Sequence, residues 1–152
     1  MKNYYIRLFQ YEHWANSEFT SCLNDIEPSE KTISLMSHII NAQKLWLCRI
    51  KKIDCSIEVW HRYPKDELQS ELKRSSSDLT EFLNGITDSE LDKEIAYTNS
   101  KGETFTSKMT DILTHLILHS CYHRGQIALD IKPQTKNLPY TDYIHYVRNI
   151  IK

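Results

Sequence analysis

The sequence predicts an all-α fold: an up-and-down type four-helix bundle, with a long link between helices 3 and 4 and a short C-terminal helix. Three observations predict it. Four long stretches repeat apolar residues at steps of three or four, the period of a helix with one buried face. Gly and Pro number only 3 and 4 in 152 residues, too few for a many-turned β-sandwich or barrel. The length fits one domain, residues 1–152, and 40% apolar side chains give it a core without help from disulfides.

The first helix is expected from about Asn3 to Asn24, with Tyr4, Leu8, Tyr11, Ala15, Phe19 and Cys22–Leu23 as its stripe. Pro28 disfavours helix at the residue before it, and Ser29 or Thr32 can cap the next helix. That second helix runs to about Lys52 on Ile33, Met36, Ile40, Leu47 and Ile50, with His38 inside the stripe. A third begins near Pro64, is favoured by Asp66 and Glu67 at its positive end, and stops at Gly85. Its stripe is thin, so it is expected at the periphery. From Glu94 to Phe105 the pattern changes to two short extended pieces around Asn99–Ser100–Lys101–Gly102. The fourth helix is expected from Thr106 or Ser107 to about Ile131, ended by Pro133. A short helix from about Thr141 to Ile151 closes the chain.

Apolar residues go nearly all round the fourth helix. A helix apolar on every side is buried on every side. A bundle covers only one side, so a second copy of the chain is expected on the other, giving a homodimer.

Charge excludes some partners. A formal net charge of -1, with both signs mixed along the chain, gives no electrostatic case for nucleic acid or an anionic membrane. No apolar run approaches the roughly 20 residues of a membrane span. The first residues lack a signal-peptide core. Cys22, Cys48, Cys55 and Cys121 show no CxxC spacing, and free thiols in a reducing cytoplasm are expected.

The seven histidines carry the chemistry. His115, His119 and His123 lie four residues apart on the fourth helix. A step of four advances about 40° around a helix, so they follow one gently winding edge. Neighbours there have Cβ atoms about 5–6 Å apart, close enough for two imidazoles to share an ion. A third ligand must come from another helix, and His38 is the candidate. Three neutral nitrogens with a vacant position are a catalytic arrangement, since structural zinc sites are closed by four ligands. The bland alternative is also open at this point: histidines on an apolar face are often satisfied core residues.

The surrounding residues add a resemblance. His119–Ser120–Cys121–Tyr122–His123–Arg124–Gly125–Gln126 resembles the HxxxHRGQ signature of the DinB/YfiT-like superfamily of small metal-binding four-helix bundles. Tyr11–Glu12–His13–Trp14–Ala15–Asn16 is similar to its first-helix segment. So are His38–Ile39–Ile40 with Trp46–Leu47 and Arg49–Ile50 to its second helix, and Pro139–Tyr140–Thr141–Asp142 with Tyr146 and Arg148 to its ending.

The resemblance implies that His38, His119 and His123 are metal ligands, that His115 is packed or supports a ligand, and that the chain dimerises. Asn41, three residues after His38, and Gln126, three after His123, are candidates for orienting ligands. Gly125 costs about 1 kcal/mol mid-helix, which a close helix approach would explain. Glu12 is read as surface, with a general-base role open if it faces inward, and Trp14 and Trp46 are read as core. Superfamily members include thiol-dependent transferases. The implied activity is therefore a divalent-metal enzyme, with zinc or nickel, that transfers a low-molecular-weight thiol to an electrophilic small molecule. A metal-dependent hydrolase and a non-enzymatic ligand-binding bundle are the alternatives.

Overall fold

The computed structural model describes residues 1–99 and 101–150. Helix α1 spans Lys2–Asn24, α2 Glu30–Lys51, α3 Leu68–Gly85, α4 Met109–Ile131 and α5 Tyr143–Ile150. Strands β1 (Glu94–Thr98) and β2 (Thr104–Lys108) pair antiparallel, Tyr97 opposite Phe105. Ser100 in the expected turn and Ile151 at the expected helix end lie outside the described residues.

Local chemistry sets the ends of α2. Ser29 Oγ accepts the Thr32 N–H at 3.1 Å and donates to Asp130, capping α2 and tying it to the end of α4. At the other end Lys52 is left-handed (φ 54°), and Ile53 N–H returns to the Cys48 carbonyl. Only the backbone turn is needed there, and lysine adopts it at a cost of about 1–2 kcal/mol. Helix α4 starts at Met109, later than the sequence suggests. Residues 104–108 are held in the hairpin ladder, which competes with the first helical turn.

Side-chain pairings fix the helix directions. Tyr5 reaches Thr110 and Thr114, while Asn16 reaches Ser120 and Arg124, so α1 and α4 run the same way. Lys44 pairs with Glu71, and Gln43 accepts from Ser75, while Leu47 and Phe82 line one cavity further along. Helices α2 and α3 are therefore also parallel, and α2 runs against α4, so the order is up, down, down, up and corrects the up-and-down order expected from the sequence. A parallel pair needs a connection running back over its own length. Residues 52–67 supply it as a strap alongside α2: Tyr63 N–H donates to Ser37 Oγ, and Arg62 pairs with Glu30.

The core has three levels. Tyr5, Phe9, Leu79, Leu83, Leu113 and Leu116 belong to one apolar cluster. Phe19, Leu23, Met36, Leu72, Ile127 and Ile131 belong to the other. Between them lie buried Glu12, Asn16, Gln43, Ser75, Ser120 and Arg124. Tyr11, Ala15, Phe19 and Leu23 of the stripe read for α1 are buried, but its start shifts by one: Tyr4 is exposed, and Tyr5 and Phe9 face inward, as do Glu12 and Asn16. Helix α3 seats Leu68, Leu72, Leu79 and Leu83 in the core and turns its polar face outward.

Helix α4 buries Ile112, Leu113, Leu116 and Ile127 but leaves Leu118, Tyr122 and Leu129 exposed at 64%, 65% and 75%. Gly125 lies on that exposed face. The helix approach expected there is not made within the described chain, since nothing lies within 4 Å of where its Cβ would be. Helix α5 docks through Tyr11, whose hydroxyl donates to the Thr141 carbonyl at 2.8 Å and whose ring meets Tyr143 and Tyr146. No described helix is long and apolar enough to cross a membrane.

Candidate metal centre

His38 on α2 and His119 and His123 on α4 meet at the seam between the two helices. The Nε2 of His119 lies 3.0 Å from that of His38 and 3.1 Å from that of His123. The ligand atoms of all three lie within 4.8 Å of one another. His38 and His123 are buried, and His119 is half-buried.

The outer nitrogens decide what the inner ones can do. His38 Nδ1 lies 3.1 Å from the Val59 carbonyl, which only accepts, so Nδ1 carries the proton. His123 Nδ1 donates to Gln126 Oε1 at 2.7 Å. As neutral rings, both then present bare lone pairs at Nε2. His119 Nε2 faces both and has one proton at most to share. Burial, then the neighbouring histidines, push His119 down to about 4. Burial also lowers His38. His119 and His38 are thus held against protonation, and three acceptors point at one place with too few hydrogens between them. That donor set fits a cation.

The strap completes the site. Trp60 stacks on His38 with ring centroids 3.9 Å apart and planes 7° apart. Asn41 Nδ2 donates to the His61 carbonyl at 2.8 Å and to the Val59 carbonyl at 3.4 Å, and its Oδ1 accepts from Tyr63. Asn41 therefore acts on His38 through the strap and not by touching a ligand ring. Gln126 touches His123 directly. His115 is exposed, its ring 5.3 Å from His119 and 5.7 Å from Trp46, outside the converging group. Tyr122, largely exposed, sets its ring 5.2 Å from His123.

Sequence reasoning missed Val59 and Trp60. Neither lies on a periodic element, and the only available hint was an aromatic close before Pro64. It also misplaced Glu12, which is fully buried. Asn16 donates to Glu12 Oε1 at 3.4 Å, while Oε2 has no hydrogen-bond partner. Arg124 donates to Asn16 and Ser120 through Nη1, and to Tyr11 and Cys121 through Nη2. Burial raises the Glu12 carboxyl against the opposing charge of Arg124. Glu12 thus belongs to a structural layer. Trp14 and Trp46 are half-buried, against α5 and Tyr97 respectively.

Neither the curated proteins nor the solved structures give a match. The DinB family profile matches residues 1–149, almost the whole chain and every residue of the histidine centre. A match over nearly all of its length shows that the chain belongs to the DinB family.

Proposed function

We propose that this protein is a divalent-metal-dependent enzyme that transfers a low-molecular-weight thiol to an electrophilic small molecule. His38, His119 and His123 hold the ion. The convergence of their Nε2 atoms carries the reading, and family membership supports it. Imidazole donors suit zinc or nickel. Once bound, such an ion supplies the positive charge that keeps a coordinated thiol ionised near neutral pH.

The chain's own residues do the rest. Val59 and Gln126 fix the tautomers of His38 and His123. Trp60 and Tyr122 are both more than half exposed beside the ligand rings and offer flat apolar walls to a small substrate. The converging group contains no carboxylate. A reducing cytoplasm is the compartment that suits both a free thiol cosubstrate and four unbonded cysteines.

Zinc- or nickel-loaded protein tests this with glutathione and monochlorobimane as probes. Conjugation should require the ion and vanish in His119→Ala. Turnover of a nitrophenyl ester without thiol, and none of the bimane, would overturn it in favour of hydrolysis.

We also place a second copy of the chain against α4. Leu118 and Leu129 lie about three turns apart on its exposed face, and Gly125 between them would let two helices approach. Sedimentation should give a dimer that dissociates in a Leu118→Glu, Leu129→Glu variant. A wild-type monomer at micromolar concentration would contradict this placement.

A further inference from the structure

The strap that carries Val59 and Trp60 to His38 also carries a cysteine. Because residues 52–67 run back along α2, each strap residue lies beside an earlier one on the helix. Tyr63 meets Ser37, Val59 meets His38 and Asn41, and Cys55 comes back beside Cys48. The tight turn at Lys52, closed by the Ile53 N–H to Cys48 carbonyl bond, starts this return. Both thiols are free and half-buried. Both line a cavity of about 910 Å³ that is also bounded by Arg49, Trp60 and Tyr97.

We propose that Cys48 and Cys55 form a reversible disulfide, made by exchange with a low-molecular-weight disulfide, that pins the strap to α2 and resets the contacts of Val59 and Trp60 with His38. The exchange has two steps. The Cys55 thiolate attacks one sulfur of the small disulfide, breaks its S–S bond and releases one small thiol, leaving a mixed disulfide on Cys55. The Cys48 thiolate then attacks the Cys55 sulfur and releases the second small thiol. Two protein thiols lose two protons and two electrons, and one small disulfide becomes two thiols.

The surroundings assign the order. The Arg49 guanidinium lies within electrostatic reach of the Cys55 sulfur. Burial, then the Cys55 thiol, push Cys48 up to about 11, which makes it a poor first nucleophile. Three residues separate Cys55 from Val59, so the tether acts close to the carbonyl that sets the His38 tautomer.

Oxidised glutathione, added to the full chain and followed by alkylation and peptide mapping, tests the bond. The Cys48–Cys55 cross-link should form while Cys22 and Cys121 stay alkylated. Cys48→Ser should accumulate the mixed disulfide on Cys55. A mixed disulfide that persists on wild-type Cys55, or pairing of either residue with Cys22 or Cys121, would overturn the proposal.

The effect on His38 rests on the metal reading and is measured separately, as zinc affinity before and after oxidation. It should change by about tenfold, the low end of what outer partners of a ligand histidine control, and not in Cys48→Ser. Equal affinity in both states would overturn the coupling. A reduced chain that binds no zinc would instead fail the metal reading and leave the cross-link result standing.

Discussion

Two polar regions sit at the same level of the bundle, one residue apart on α4. His119 and His123 face α2, while Ser120 and Arg124 face α1. The arginine layer is nearly self-sufficient. Arg124 spends its donors on Asn16, Ser120, Tyr11 and Cys121, and only Glu12 Oε2 is orphaned. The histidine centre is deficient: the outer nitrogens of His38 and His123 have partners, but the inner ones face each other as acceptors. A buried polar group needs a partner. Where the chain supplies the partners, the cluster is structure. Where it supplies acceptors alone, the cluster is a site for something positive.

Breaking the first region should have the largest effect on folding. Arg124→Met strips buried Asn16, Ser120 and Tyr11 of their shared donor, a loss of about 1–3 kcal/mol or more for buried acceptors left unpaired. Urea denaturation should show that loss, and the folded fraction should still bind zinc. A loss under about 1 kcal/mol would mean the layer is not a coupled network.

Trimming the second region should spare folding and weaken metal binding. Gln126→Ala removes the acceptor at His123 Nδ1 and should cost about tenfold in zinc affinity, roughly 1.4 kcal/mol, with little change in urea midpoint. If the midpoint falls and the affinity does not, Gln126 is structural.

The gentlest test is pH, because the two regions respond with opposite sign. His119 titrates at about 4 when folded, below the ordinary histidine value of about 6.5. Between those values the unfolded chain binds more protons, so metal-free stability falls as pH drops through that window. Glu12 is raised in the fold, so its contribution is full below the ordinary carboxylate range and is lost as pH rises through its folded value. Stability of the apo chain against pH should therefore have a shallower acid limb in His119→Gln and a shallower upper limb in Glu12→Gln. Unchanged profiles in both variants would refute the contrast.

Much of this was legible in the sequence. Four helices announced themselves by period, and His38, His119 and His123 by spacing and motif, because local pattern encodes which face is buried. The strap was not legible. It has no period, and its meaning lies in backbone carbonyls at Val59 and His61, which any residue carries. Glu12 was misread for a related reason. Its partner Arg124 lies more than 100 residues away in sequence, and a charge looks like surface until the compensating charge is found. A periodic signal did exist: Tyr5, Phe9, Glu12, Asn16 and Leu23 share one inward stripe. The late start of α4 came from competition with strand pairing, which helix propensity does not register.

The central claim is that three imidazoles of one chain hold one ion and leave it open. Zinc-loaded protein, measured by metal analysis with X-ray absorption at the zinc edge, tests it directly. The account predicts about one ion per chain, three imidazole nitrogens at about 2.0–2.1 Å with the remaining position taken by a light atom from solvent, and loss of the ion in His38→Ala as in His119→Ala. Full occupancy retained in His38→Ala, or a sulfur in the coordination shell of the thiol-free protein, would contradict it.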